Sequence, residues 1–479
     1  MTKVVADLCK DVQHKVGPEC TLNSGTRRRR CLHLRGVGGM TGFRQITSQV
    51  DTTRIAGERH SQRLVIAFVI SGILFMLLPG TFLGVWNLLS ISQEHKPSSI
   101  PQAWLQAHGQ AQIFGWIGSF ILGIGFYSLT KMRGTKNFPA RAGWIIWAVW
   151  TIGALARWFA GVTGDAWRIA LPFSGFLQLF AFVLFFLSVR RHRPEAPKRK
   201  PEAWMRLVFL STIAFMVALL VNCGLLLWQG LFGNSPALRH EIDQEFVVLS
   251  VWGVLVPTIW GFNARWLPIF LGLRQPSERM LYAAYGFSLA GVLATFLSLL
   301  PVATVAFLIA ALLAIDALHV WTPAIAPPKL VNVDPRFPWF VRITYVWLLV
   351  SCIMGMMAVI WDSSGGIWGA SRHAITVGYV AGMVFAIGQR VLPAFSGMRV
   401  LWSTRLMFWS LLLLFTGCLL RVAAEPLAYE HIWAPAWKIL PISAIIELAA
   451  VSTFAVNLGV TLLQPPAHLR VQQASTSRG

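Results

Sequence analysis

From residue 64 onward, apolar runs of about twenty residues alternate with short polar segments. A helical run of that length matches the hydrocarbon thickness of a bilayer. The pattern predicts an all-α polytopic protein with twelve membrane-spanning helices, at about 64–90, 104–129, 142–162, 168–189, 205–229, 246–270, 280–300, 301–322, 339–361, 368–392, 402–423 and 436–462. The seventh and eighth are parted only by Leu300-Pro301, the least marked boundary in the series.

The segments between the runs alternate in charge. Lys131, Arg133, Lys136 and Arg141 follow the second run, and Arg190, Arg191, Arg193, Lys198, Arg199 and Lys200 follow the fourth. Arg274 and Arg279, then Lys329 and Arg336, then Arg399 and Arg405 continue the basic series. The intervening segments carry Asp165, Glu241, Asp243, Glu245, Asp362, Glu425 and Glu430. Lys and Arg collect on the cytoplasmic side of membrane proteins. Both termini are therefore expected in the cytoplasm, with the chain in the plasma (inner) membrane.

Composition strengthens this reading. Of 479 residues, 55% are hydrophobic and 13% charged, whereas a soluble domain carries about 25% charged residues. A net charge of +22 would suit nucleic acid, but the basic residues lie between the apolar runs. The expected partner is the lipid bilayer and not nucleic acid. The six cysteines form no CxxC, CxxCH or zinc spacing, which argues against covalently attached heme and a zinc site. Arg27 to Arg30 precede no apolar stretch of secretory-signal type. Residues 1–60 read as a basic, disordered cytoplasmic extension, 61–463 as one transmembrane domain, and 464–479 as a polar tail.

RWLPIFLG at 265–272 returns as RVLPAFSG at 390–397, 390 − 265 = 125 residues later, closing the sixth and tenth runs. Four runs earlier, YSLTKMRG at 127–134 shares only Leu129 and Gly134 with them. Together they suggest three four-helix units. The plainer alternative is that Pro, Gly and Arg commonly mark helix ends. Repeats place binding sites where the units meet. Twenty-six residues before the closing glycines stand His108 (134 − 26), Phe246 (272 − 26) and Ser371 (397 − 26); two residues further on stand Gln110, Val248 and His373. His108 follows Trp104 by four residues and His373 follows Trp368 by five, so both lie roughly 6–8 Å below the outer interface at about 1.5 Å per residue.

Ionisable residues inside a membrane are rare and usually functional. A pair at one depth fits two axial imidazoles on one heme iron, a proton relay, or two unrelated packing residues. Gly109, Gly115, Gly118, Gly378 and Gly382 nearby would let a flat macrocycle or a neighbouring helix approach closely. Arg157 and Arg421, near the outer ends of the third and eleventh runs, are candidates to bind heme propionates, with snorkelling to lipid headgroups as the alternative. Asp316 and His319 read as a structural pair near the inner face, Glu447 as a buried acid without an evident partner, and His240 and His431 as solvated loop residues. Arg265 and Arg390 read as interfacial anchors.

HGQAQIFGWIG at 108–118, with FYSL at 126–129, resembles the second helix of heme-copper oxidase catalytic subunits. HAITVGYVAGMVF at 373–385 resembles their tenth. A closer resemblance is to the NnrS family of heme- and copper-containing membrane proteins linked to nitric oxide stress. It rests on WLQAHGQAQIFG, NARWLPIF and HAITVG…QRVLPAFSG, over roughly residues 64–463. The resemblance implies a heme-copper-oxidase-like arrangement and a non-covalent heme b held by His108 and His373. It also implies a quinol or cytochrome electron donor and a role in electron transfer or nitric oxide response. Ser371 stands where a second heme's ligand would fall, Phe246 to Val248 where a copper-binding histidine would, and Gln110, Ala111 and Phe395 at other motif positions. These departures leave copper doubtful and imply no complete binuclear centre. A twelve-helix secondary transporter using His108, His373 and Glu447 is the second reading.

Overall fold

The computed structural model describes residues 59–133, 140–191, 202–397 and 399–464. The expected basic extension up to residue 58 and the tail beyond Gln464 lie outside the described residues. The long helices, in chain order, are α1 (Arg59–Glu94), α2 (102–133), α3 (Ala140–Thr163), α4 (Trp167–Arg191), α5 (Ala203–Phe232) and α6 (His240–Leu271). They continue with α7 (Glu278–Phe296), α8 (Leu300–Ala317), α9 (Phe337–Trp361), α10 (Gly366–Phe395), α11 (Thr404–Tyr429) and α12 (Ala436–Leu463).

Among the described residues no strand occurs, and ten of these helices are long and apolar enough to cross a membrane. The protein is a multi-pass membrane protein. Of the two not so counted, α7 opens on Glu278-Arg279, and α2 is described in full only to Tyr127. Large apolar side chains such as Leu220, Phe232, Leu293, Ile360 and Leu419 are exposed on the surface, as lipid-facing helices require.

The weakly marked boundary at Leu300-Pro301 is a tight turn. Ser298 takes a left-handed backbone (φ 58°), and Pro301 sits in the first turn of α8, where its missing N–H is harmless. Among the boundaries that differ from the expected ones, three move polar residues. α8 ends at Ala317, so His319 lies beyond it with φ 54°, and Asp316 is exposed. No ion pair joins those two among the described residues. α6 begins at His240 and α11 runs to Tyr429, which draws Asp243 and Glu425 out of the loops and into helices. Charge alone suggested loops at these positions; the carboxylates instead face other polar groups inside.

The least exposed membrane-length helices are α1, α6 and α10, with 61%, 67% and 78% of their apolar windows buried, against 33–50% for the others. In α2, residues 114–120 are all buried. These four form the interior, and each contains a wide π turn: 76–82, 111–118, 249–255 and 374–381. Such turns insert one residue into the α ladder and gather at functional sites. In α2, α6 and α10 the turn begins 134 − 111 = 23, 272 − 249 = 23 and 397 − 374 = 23 residues before the closing glycine. The three-unit alignment is thus carried by the backbone as well as by the motifs.

The repeated signatures meet at one end of the bundle. Phe395 of α10 stacks on Tyr127 of α2 (centroids 4.8 Å apart) and lies 6.4 Å from Trp266 of α6. Arg390 lies over the Phe270 ring at 5.0 Å and donates to the Val331 and Lys329 carbonyls. Arg265 pairs with Glu202 at 3.4 Å. Both arginines tie loops to the helix ends, as anchors should.

Candidate functional site

His108 and His373 lie on α2 and α10, three residues and one residue before their wide turns. Each ring is fixed through Nδ1. His108 Nδ1 stands 2.9 Å from the Gly80 carbonyl, in the wide turn of α1. His373 Nδ1 stands 3.1 Å from the Gly369 carbonyl and 3.5 Å from Glu425 Oε2. Donation from Nδ1 leaves Nε2 with its lone pair, the tautomer that binds metal. No hydrogen bond reaches either Nε2 among the described residues.

Both rings line one cavity of about 930 Å³. Its walls include Val85, Leu88, Trp116, Phe246, Leu414 and Val451. Gly84 admits the His108 ring: a Cβ there would lie 2.6 Å from Cε1. Set in this apolar wall are polar atoms without partners, Asn87 Oδ1 and Nδ2, Gln110 Oε1, Gln112 Oε1 and Glu447 Oε1. Leaving such atoms buried and unsatisfied costs about 1–3 kcal/mol each, and the cavity offers both a broad apolar wall and unpaired polar edges.

The two expected arginines are placed differently. Arg421, 7% exposed, lines the cavity; its Nη2 donates to Glu425 Oε1 at 2.9 Å, while Nε and Nη1 have no partner. Arg157, 2% exposed, does not line it; Nε and Nη2 are unpartnered, and its electrostatic neighbour is Asp243, which does line it. Sequence reasoning missed Glu425, Asp243 and Arg372. Arg372 lines the same cavity and donates to Gln244 Oε1 at 2.7 Å. The i, i+4 spacing of Arg421 and Glu425 was the available signal.

His240, expected in a loop, opens α6 and lines the cavity, whereas His431 is exposed beyond α11. At the positions equivalent to His108, Phe246 stacks on Phe114 with centroids 5.9 Å apart, and Ser371 donates to the Ser351 carbonyl at 2.8 Å. No group of three or more His, Cys, Asp or Glu able to hold a metal occurs among the described residues.

The His373-bearing end of α10 is held by the 362–365 segment. Asp362 accepts from the Gly365 and Trp368 amides, both at 2.8 Å, and caps the helix. Glu430 accepts from the Ser363 and Ser364 amides at 3.2 and 3.0 Å and from the Ser363 hydroxyl. Burial alone would raise Glu430, but the hydrogen bonds donated by Ser363 and Ser364 outweigh it and hold the carboxyl below its usual 4.5. A lowered carboxyl stabilises the folded state above its unfolded value and loses that contribution as pH falls through the folded value. Hydrogen-exchange protection of the Ser363 and Ser364 amides should therefore hold at neutral pH and decline below pH 4.5. Glu430→Gln should lower that protection at neutral pH; unchanged protection would show that the carboxylate does not pin the segment.

Comparison with known proteins now assigns the family. The NnrS protein profile matches residues 66–465. The chain belongs to the NnrS family. No curated protein matches it. Among solved structures, this NnrS-family chain is similar to a heme-copper terminal oxidase determined by cryo-electron microscopy as a dimer. The TM-score is 0.65, the identity 13%, and 85% of each chain is covered. At that identity the likeness shows the fold, which is the one the second- and tenth-helix motifs implied.

Proposed function

We propose that this protein is a membrane-embedded b-type heme protein with His108 and His373 as axial ligands, serving electron transfer or a response to nitric oxide. The observation that carries the reading is the pair of imidazoles on repeat-equivalent helices, both Nδ1-fixed and both lining one cavity. Outer-shell partners of this kind set the tautomer and the orientation of a ligating histidine. The cavity's apolar walls suit a macrocycle, and the free nitrogens of Arg421 suit a propionate. Arg157 would act on the same group through its field, with Asp243 between. When bound, heme supplies one-electron redox chemistry at iron; the residues here bind it, orient it and exclude water.

In this reading all twelve helices cross the plasma membrane and both termini are cytoplasmic, as the basic segments indicate. A quinol or a cytochrome supplies the electron. With Ser371 bonded to backbone and phenylalanine at position 246, no complete heme-copper binuclear centre forms in this reading, and copper has no evident ligand set among the described residues. The transporter reading is weaker, because a transporter would more naturally show Gly/Pro-broken helices in two matching six-helix halves, and this chain repeats in fours.

Protein purified from a heme-replete host should show b-type bands in a reduced-minus-oxidised spectrum; their absence sinks the proposal. A pyridine hemochrome assay should give one heme per chain. Both axial positions being filled by imidazole, the reduced protein should bind carbon monoxide poorly. Stoichiometric carbon monoxide binding would show the six-coordinate assignment wrong.

A further inference from the structure

Glu447 lies eleven residues into α12, at roughly 16 Å of helix depth at about 1.5 Å per residue. It lines the cavity that holds the two histidines, and its Oε1 is buried without a hydrogen-bond partner. Gly417 of α11 makes room for its side chain: a Cβ there would lie 2.6 Å from Glu447 Cγ. The ionisable groups facing it come from α11, namely Cys418, Arg421 and Glu425. From α1, between Arg63 and Glu94, there is none, only the amide Asn87. From α10, Arg372 and His373 line the same cavity, His373 with its Nδ1 3.5 Å from Glu425 Oε2.

Arg421 is already committed to Glu425 by the 2.9 Å bond. That bond gives Glu425 first claim on the guanidinium, and a deprotonated Glu447 without a hydrogen-bond partner is expensive in a low-dielectric site unless another charge compensates. Iron held at the histidines would lose one positive charge on gaining an electron, and a proton taken up at Glu447 would offset that change.

We propose that Glu447 is a redox-linked proton-binding site: for each electron entering from a donor of quinol or cytochrome class, one proton moves from water to the Glu447 carboxylate. The carboxylate gains an O–H bond, no other bond forms or breaks, and oxidation reverses both transfers. This inference rests on the heme reading above and adds to it a proton acceptor outside the ligand set. The cavity also reaches Glu241 and Ser364 at its rim, which gives the proton a polar entrance.

The test is potentiometric titration of the purified, heme-loaded protein across pH, with infrared difference spectra of the reduced and oxidised states. The expected midpoint potential falls by about 59 mV for each tenfold drop in proton concentration over the range where Glu447 titrates. A carboxylic C=O band should appear on reduction. Glu447→Gln should flatten the slope and erase the band while b-type absorbance persists; Glu447→Asp should retain both in shifted form. A pH-independent potential in the wild type, or a slope lost in Glu425→Gln and kept in Glu447→Gln, overturns the proposal. If Glu447→Gln does not assemble, the wild-type slope and band still decide. Absence of b-type bands in the wild type would instead remove the heme reading itself, so the two failures are distinguishable.

Discussion

Replacing His108 or His373 by alanine is expected to empty the site of heme. Removing even an outer-shell partner of a ligating histidine weakens binding roughly 10–100-fold, and removing the imidazole itself should cost more. The interior around these rings offers no generous substitute, because the cavity's walls are mostly apolar. His319 and His431 lie outside the cavity lining, and His240 lines it only from the first residue of α6. Alanine at those three should leave heme content near wild type. The measurement is heme per chain by pyridine hemochrome, with purified yield recorded beside it. Full occupancy in both ligand variants, with loss at another histidine, would defeat the assignment.

Arg421→Gln should cause the largest loss of stability. It leaves Glu425, 4% exposed, buried in the bundle without the 2.9 Å ion pair, and it withdraws the nearest cation from Glu447. Breaking a buried pair from one side typically costs about 3–5 kcal/mol, whereas replacing both partners by apolar groups is often close to neutral. The double variant Arg421→Met/Glu425→Met should therefore be more stable than the single one. Fluorescence-detected size-exclusion chromatography after a temperature ramp reads both. A single variant as stable as wild type would show that the pair contributes little; a double variant no better than the single would show that Glu425 is not the strained group.

Which parts of this were legible in the sequence follows from the kind of signal each left. Apolar runs long enough to span a bilayer located the helices, because membrane helices must satisfy their backbone internally. The placement of His108 and His373 could be read because the repeat supplied an internal alignment. Glu425 and Asp243 could not be read correctly from charge. A carboxylate near the end of an apolar run looks the same whether it faces water or an arginine on the same helix. Cavity lining was equally hidden: Arg157 and Arg421 sit at similar places in their runs, yet only Arg421 lines the cavity. The wide turns left no compositional mark, and their register shows that α2 belongs to the series despite the two-residue match of its closing motif.

Those wide turns also bear on how the chain arose. A π turn is a one-residue insertion in an α-helix, and here it lies at the same distance from the closing glycine in α2, α6 and α10. Three separate insertions landing on one register would be a coincidence, and a single insertion in an ancestral four-helix segment accounts for those three; the turn in α1 has no counterpart in α5 or α9 and stands apart from them. In that register Phe246 and Ser371 occupy the His108 position of their helices, while His373 stands two residues further on, so the two imidazoles occupy different positions of one repeated helix.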